Sequence, residues 1–491
     1  MSDSINFDNS YLELPGRFYS KLAPTPVAGP GPIRVNRALA EQLDLDAAWL
    51  SSEQGTEMLA GNRLPDGAEP IATVYAGHQF GGWVPQLGDG RAILLGEVIG
   101  RDGQRYDIQL KGSGPTPYSR GGDGRAPLGP VLREYIVSEA MSALGIPTTR
   151  SLAAVTSGEP VYRQAAEPGA VLTRVARSHI RIGTFQYFLA RQDIEALRLL
   201  VDYVVRRHYP AAAEAEIPAQ EMLDAVVTGQ ARLMAQWQLV GFIHGVMNTD
   251  NMLLSGETID YGPCAFMDHF DPSTVFSSID RQGRYAYGNQ PGTAHWNLAR
   301  LAQTLLPVMH ADEEQALVMA QESLDAFPDR FQQAYRDGMA RKLGLNSLQA
   351  DHDELVSEWL ELMARESTDF TLAFRRLADL ALPGPGPDVA GLFEFSEAFS
   401  PWLERWRQCI EADPQSLAER RGRMYEANPV FIPRNHLVAG AIDAAVSEGD
   451  FEPFHRLVDR LEQPHDYDPQ QEDFARPPRK DEIVTTTFCG T

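Results

Sequence analysis

The sequence predicts an α+β fold in which a sheet-forming half precedes a helical half. Between about residues 71 and 187, short runs alternate apolar and polar side chains and are separated by glycine-rich turns. From Ile194 onward, apolar residues recur at helical spacing through most of the remaining chain. The 491 residues, 43% of them hydrophobic, suffice for one large core or for two lobes.

The elements follow in order. Residues 1–70, punctuated by proline and glycine, read as an N-terminal arm that packs on the core. Residues 92–96 and 106–111 read as strands, the second by its alternation. A helix is expected over about 131–144, opened by Gly129-Pro130 and stopped by Gly145. Residues 171–174 read as a strand and 178–181 as a helix start. Helices are then expected over 194–209, 220–239, 312–343, 352–366, 370–380, 393–412 and 414–428, with 438–443 and 451–461 continuing the pattern. Residues 382–387, Leu-Pro-Gly-Pro-Gly-Pro, form the clearest loop, and the polar, proline-rich residues from about 465 read as a loosely held tail. The expected division is therefore 1–70, 71–187, 188–464 and 465–491.

Chemistry concentrates in residues 244–251, His-Gly-Val-Met-Asn-Thr-Asp-Asn, followed by Asp260-Tyr261-Gly262. A protein-kinase catalytic loop runs His-Arg-Asp, four residues, Asn, and an Asp-Phe-Gly comes after it. His244, Asn251 and Asp260 match, but Val246 stands where the catalytic Asp belongs. Valine accepts no proton, so the residues fit either a protein that only binds nucleotide or one that runs another reaction on it. Asn251 and Asp260 offer an amide and a carboxylate oxygen, the hard ligands that Mg²⁺ takes. The intervening 252–259 reads as a hairpin that would bring the two together. Asp250 is available as a general base, or as an ordinary loop Asx turn.

The upstream half supplies the rest of a kinase-like order. Gly88 and Gly90, with Arg91 behind them, form a glycine turn whose N–H groups can approach a phosphate. Lys111 ends a strand beside Gly112-Ser113-Gly114, and Glu134 is the candidate helix partner, with Glu139 competing. The loop 116–125 is long and rich in glycine and charge, as functional loops are. Arg174, Arg177 and Arg181 cluster cations whose forks match phosphate, although surface carboxylates would equally pair them. The architecture this order implies is protein-kinase-like and two-lobed, with a mixed β-sheet N-lobe and a helical C-lobe.

Taken together, these stretches resemble the selenoprotein O family, kinase-fold proteins that transfer AMP. The matching segments are 75–81, 86–91, 111–114, 133–135, 178–181, 244–251, 260–264 and 296–300, which run through more than half of the chain. The resemblance implies that ATP lies flipped relative to a kinase, its γ-phosphate in a pocket and its α-phosphate toward a protein substrate. It implies nucleotide contacts from Gly88, Gly90, Arg91, Lys111, Asp123, Gly124, Arg174 and Arg181, with Asp260 both at the nucleotide and, beside Asn251, at a Mg²⁺ or Mn²⁺ ion. It makes Glu134 the partner of Lys111 and Asp250 the proton acceptor. The partners implied are ATP and proteins with acceptor Ser, Thr or Tyr, the chain itself among them; a conventional kinase using Asp250, or an inactive nucleotide-binding scaffold, are the competing readings. The family's selenocysteine position is Cys489 here, in an exposed tail, and Cys264 follows Asp-Tyr-Gly. These two could form a disulfide that tethers the tail and gates the site, or remain independent thiols. Cys409 reads as a helix residue without a partner.

The net charge of −24 argues against nucleic acid or anionic membrane as partner and suits basic protein substrates. Three cysteines form neither a disulfide framework nor a zinc spacing. The N-terminus lacks a signal-peptide pattern and no stretch is long and apolar enough to span a membrane, so a cytoplasmic monomer is expected.

Overall fold

The computed structural model describes residues 5–381 and 389–488. The chain first lays down ten strands. These are β1 (Tyr19–Lys21), β2 (Gly31–Val35), β3 (Ile71–Thr73), β4 (Gly77–Gln79), β5 (Gly82–Val84), β6 (Ala92–Ile99), β7 (Arg105–Lys111), β8 (Ala126–Pro127), β9 (Arg150–Tyr162) and β10 (Ala166–Ala176). Eight build one sheet in the order β1-β3-β6-β7-β10-β9-β2, with β8 also on β10. Every pairing in it is antiparallel. The sheet is therefore not mixed as expected: β6–β7 and β9–β10 are joined by short turns, which only antiparallel neighbours allow. The coarse reading holds, an α+β chain with an antiparallel sheet and many helices. The first 70 residues are more than an arm, because β1 and β2 are the two outer strands of the sheet.

One helix, Leu128–Ala143, packs on β9 and β10. Helices Ile182–Leu189, Ile194–His208 and Pro218–Val240 lead into the helical half, whose largest cluster is built around Met222, Val226, Leu233 and Trp237. The expected helix 312–343 is two helices, Glu313–Asp325 and Phe327–Leu343. Pro328 sits in the first turn of the second; its ring and missing N–H prevent a continuous helix but suit a helix start. Pro401 likewise delays the expected 393–412 helix to Ser400–Ala412, and Ser416 caps Leu417–Ala427 in place of a start at 414. Helix Gln290–Met309 was not foreseen, since Pro291 and Pro307 obscure its period. Residues 252–259 do not pair with themselves. Leu253 bridges Arg181 and Thr258 bridges Thr148, so this segment is held from both sides by the sheet half.

The tail is docked where a loose one was expected. Thr487 is buried, its N–H donates to the Phe276 carbonyl at 2.8 Å and its hydroxyl to the Pro263 carbonyl at 2.6 Å. Within the tail Glu482 pairs with Arg476 at 2.6 Å, and Asn435 Nδ2 donates to the Val484 carbonyl at 3.3 Å. The 382–387 loop falls outside the described residues apart from its neighbours. No described helix is long and apolar enough to cross a membrane.

Candidate active site

A cavity of about 720 Å³ opens between the sheet and the segment 246–263. The pleat places its basic wall. Lys111 pairs with Leu172, and Arg174 with Gln109, so Lys111 and Arg174 project from the same face of neighbouring strands. A register shift at Thr173/Arg174 re-aims the strand at that point. Glu134, on helix Leu128–Ala143, meets both cations: its Oε2 lies 2.5 Å from Lys111 Nζ and its Oε1 2.5 Å from Arg174 Nη2. Asp260 closes the square, its Oδ1 3.0 Å from Lys111 Nζ and 2.6 Å from Arg174 Nη2. Of the two candidate glutamates, Glu134 is the one that meets Lys111. Glu139 instead binds Arg150 at 2.7 Å, away from the cleft.

Alternation of charge is what makes this burial tolerable, since each ion has two opposite neighbours. Burial pushes the Asp260 carboxyl up, but Lys111, Arg174 and Arg181 outweigh it and hold the group well below the usual carboxylate range. Glu134 is likewise held down by Arg174 and Lys111 against the effect of its burial. Asp260 adopts φ +64°, an uncommon conformation for a non-glycine residue, maintained here by these contacts. His244, fully buried, positions the backbone before it: Nε2–H donates to the Ile259 carbonyl at 2.8 Å and Nδ1 accepts the Val246 N–H at 3.3 Å.

Arg181 reaches in from the start of helix Ile182–Leu189. Its guanidinium donates to the Asp250 carbonyl at 2.9 Å, lies 3.7 Å from Asp260 Oδ2 and stacks 4.4 Å from the Tyr75 ring centre. Arg177 does not join it. Its side chain donates to Gln104 at 3.2 Å and does not line the cavity. Asp250 is buried at the cavity wall. Gln79 Nε2 donates to one carboxylate oxygen at 3.1 Å, and the other has no hydrogen-bond partner. Burial raises this carboxyl to about 6, against the opposing effects of Gln79 and Arg181.

The glycine turn faces the 116–119 loop. A Cβ at Gly88, where φ is +131°, would stand 2.5 Å from the Tyr118 ring, so the turn admits no side chain there. Gly124 has φ +65° and a Cβ there would meet the Gly114 carbonyl at 2.0 Å. Gly90 and Arg91 line the same cavity. Asp123 lines it too, at the rim, bound by Arg163 at 2.8 Å. Tyr75 and Gln79 lie in the family-like stretch 75–81 but were given no individual role, and Arg163 carries no motif signal; the fold brings all three to the cleft.

Both Asn251 and Asp260 line the cavity. Asn251 spends its amide N–H on the Val246 carbonyl at 2.9 Å, which turns Oδ1 into its available ligand atom. Asp260 Oδ2 has Arg181 beyond hydrogen-bond distance. Two hard oxygens with room beside them suit a Mg²⁺-type ion that completes its shell with phosphate and water. Among the described residues no three of His, Cys, Asp and Glu cluster in the manner of an all-protein metal cage. Cys264 is buried, with its thiol donating to the Tyr261 carbonyl at 3.4 Å; Cys489 lies outside the described residues. Cys409 sits part-buried on helix Ser400–Ala412.

A lysine–glutamate pair, an Asp-Tyr-Gly segment and clustered arginines make a cleft suited to a nucleotide's phosphates, and sequence comparison gives its class as nucleotidyl-transferring. A family model described as "Protein adenylyltransferase SelO" matches residues 2–462. A protein of Rhodopseudomonas palustris (strain BisB5) named "Protein nucleotidyltransferase YdiU" is 60% identical over 486 residues, covering 99% of both chains. Proteins of the same name from Bradyrhizobium sp. (strain ORS 278) and Methylorubrum populi are 58% and 56% identical, again over 99% of both chains. The chain belongs to the protein adenylyltransferase SelO family.

Proposed function

We propose that the protein transfers AMP from ATP to Ser, Thr or Tyr hydroxyls of proteins, itself among them, in a kinase-like two-lobed cleft where ATP lies flipped. The observation that carries this is the pairing of a valine at the kinase base position with Asp250 at the cavity wall, one carboxylate oxygen held by Gln79 and the other without a partner. A general base must reach the proton it takes; the unpartnered Asp250 oxygen at the cavity wall supports that role, for which Val246 has no group. In the flipped orientation the triphosphate tail runs toward Lys111, Arg174 and Arg181, more positive charge than a lysine alone supplies. The acceptor oxygen bonds to the α-phosphorus, the bond from that phosphorus to the α,β-bridging oxygen breaks, and pyrophosphate leaves. The hydroxyl proton passes to Asp250. Lys111, Arg174 and Arg181 hold the phosphate oxygens in fixed positions as charge shifts to the leaving group. Gly88, Gly90 and Gly124 let backbone approach the nucleotide, with Arg91 and Asp123 at its edge.

A divalent ion, Mg²⁺ or Mn²⁺, held by Asn251 and Asp260 would neutralise phosphate charge there. Cys264 and Cys489 form a disulfide by exchange with an oxidised dithiol, which is reduced in turn; the contact of Thr487 with the Pro263 carbonyl, beside Cys264, supports this tether. The protein acts as a cytoplasmic monomer without nucleic acid. The test is intact mass after incubation with ATP and a divalent metal, beside Asp260→Ala. An AMP-sized adduct absent from the variant is expected. A phosphate-sized adduct would replace this reading by that of an unusual kinase.

A further inference from the structure

The chain carries 67 acidic against 43 basic side chains, so an arginine without a carboxylate is out of character. Two such arginines stand together beside the catalytic loop. The guanidinium carbons of Arg284 and Arg300 each lie 4.9 Å from the ring centre of Trp296. Among the described residues neither makes an ion pair with Asp or Glu, and the buried Nε of each has no hydrogen-bond partner. The nearest carboxylate by sequence, Asp280, is spent on backbone, accepting the N–H of Arg284 at 2.9 Å and of Tyr285 at 2.8 Å. The positive potential is felt by its neighbour. His78, 5.4 Å from Trp296, is kept below the usual imidazole range by burial first, then by Arg300 and Arg284.

This pair is continuous with Asp250 through a single strand. In the β4–β5 hairpin the His78 N–H donates to Thr249 Oγ1 at 2.7 Å, Gln79 holds Asp250, and the Phe80 N–H donates to Asn248 at 3.0 Å. A Cβ on Gly81, at the hairpin tip, would be 3.6 Å from Arg284 Nη1, so the guanidinium lies under the tip. The same hairpin exposes two aromatic rings, Phe80 at 37% and Trp83 at 41%. Aromatic surface beside arginine forks that have no carboxylate partner is the composition of a protein-recognition site.

We propose that Arg284 and Arg300 recognise a carboxylate-bearing segment of the acceptor protein, an acidic residue next to the acceptor hydroxyl with an apolar neighbour on Phe80 and Trp83. This rests on the reading of Asp250 as the residue that receives the hydroxyl proton. The overall charge suits basic partners, but the cleft mouth has the opposite local preference. Arginine forks bind carboxylates bidentately, and stacking on Trp296 fixes them before the partner arrives.

The test measures binding without nucleotide, so a failure of AMP transfer does not decide it. Fluorescein-labelled Ala-Glu-Asp-Tyr-Phe-Gly and its Ala-Gln-Asn-Tyr-Phe-Gly counterpart are titrated by anisotropy against the full chain and against Arg284→Gln and Arg300→Gln. The acidic peptide is expected to bind about ten-fold tighter to the unaltered protein, an advantage lost in both variants and in about 0.5 M salt. Arg300→Lys, which keeps charge but not the fork, is expected to retain part of it, and thermal melts matching the unaltered protein establish that the variants fold. Equal binding of the two peptides by the unaltered protein would overturn the proposal. So would discrimination that survives in the folded variants, or a concentration-dependent dimer abolished by Arg300→Gln without peptide discrimination, which would make the patch an interface between copies.

Discussion

Glu134 is the residue on which the cleft's charge balance turns. It accepts from both Lys111 and Arg174, and Asp260 is the only other carboxylate that both of them reach among the described residues. Glu134→Gln leaves the buried Arg174 and the part-buried Lys111 sharing one anion, the situation in which removing one partner costs about 3–5 kcal/mol. Urea denaturation is expected to register a loss of that order, with AMP transfer falling alongside; an unchanged midpoint would mean that the pair contributes nothing to folding. Lys111 and Asp260 could be singled out from sequence because their motifs are local, and the fold brings the two together. The pattern of residues alone left Glu134 and Glu139 both open, and only the family resemblance pointed to Glu134; the partner of Glu139 is Arg150 across a helix–strand turn. Nor did pattern separate Arg174 and Arg181 from Arg177, which only the resemblance did: all three are cations in one stretch, and the pleat and the helix start turn two of them inward.

At the scale of elements, the β4–β5 hairpin acts as a latch on the catalytic loop. A Cβ added at Gly77 would stand 2.5 Å from Asp250 Oδ1, so Gly77→Ala must displace that carboxylate while touching none of Lys111, Arg174 and Arg181. The expected outcome is a fall in kcat of about 10²-fold, as for a misplaced reacting group, with ATP affinity by calorimetry unchanged. This hairpin was read only as part of a family-like stretch, because its function lies in backbone contacts to residues about 170 positions away. A second element carries a pH dependence. Lys342, near the end of helix Phe327–Leu343, is buried over the Phe374 ring at 4.2 Å, and burial lowers its ammonium to about 7. The folded state therefore binds fewer protons than the unfolded chain between about pH 7 and the free lysine range near 10. Stability from this group is lost as pH falls through that window. Lys342→Met is expected to raise Tm at pH 7 and to lose most of that gain by about pH 10. A gain that is the same at both values would remove Lys342 as the cause.

At the scale of the whole molecule, the two ends of the chain are the parts that composition misjudged. Residues 1–70 looked like an arm, yet β1 and β2 are outer strands of the sheet, short enough that their alternation gives no signal. The residues after 465 are polar and proline-rich, which reads as loose chain, yet their binding is through backbone groups and single hydroxyls that composition does not register. Thr487 and Ser277 pair as parallel strands would, and the Ser278 N–H donates to the Thr487 carbonyl at 3.1 Å. The tail thus spans from the helical half to the carbonyl of Pro263, three residues beyond Asp260. A chain shortened after Lys480 is expected to keep its sheet and its melting transition while the Ser278 amide loses protection, because that hydrogen bond has no other acceptor in place. Hydrogen exchange with fragment mass spectrometry reads this directly: faster exchange confined to the 262–278 region means the tail orders the segment after Asp-Tyr-Gly. Unchanged exchange there would make the tail a passenger on a segment already fixed by the pairing of Ala265 and Phe266 with Ile243 and Phe242. The ordered outcome would also give the tail leverage on catalysis, since any change at the chain's end would then be transmitted through Pro263 to the backbone that presents Asp260.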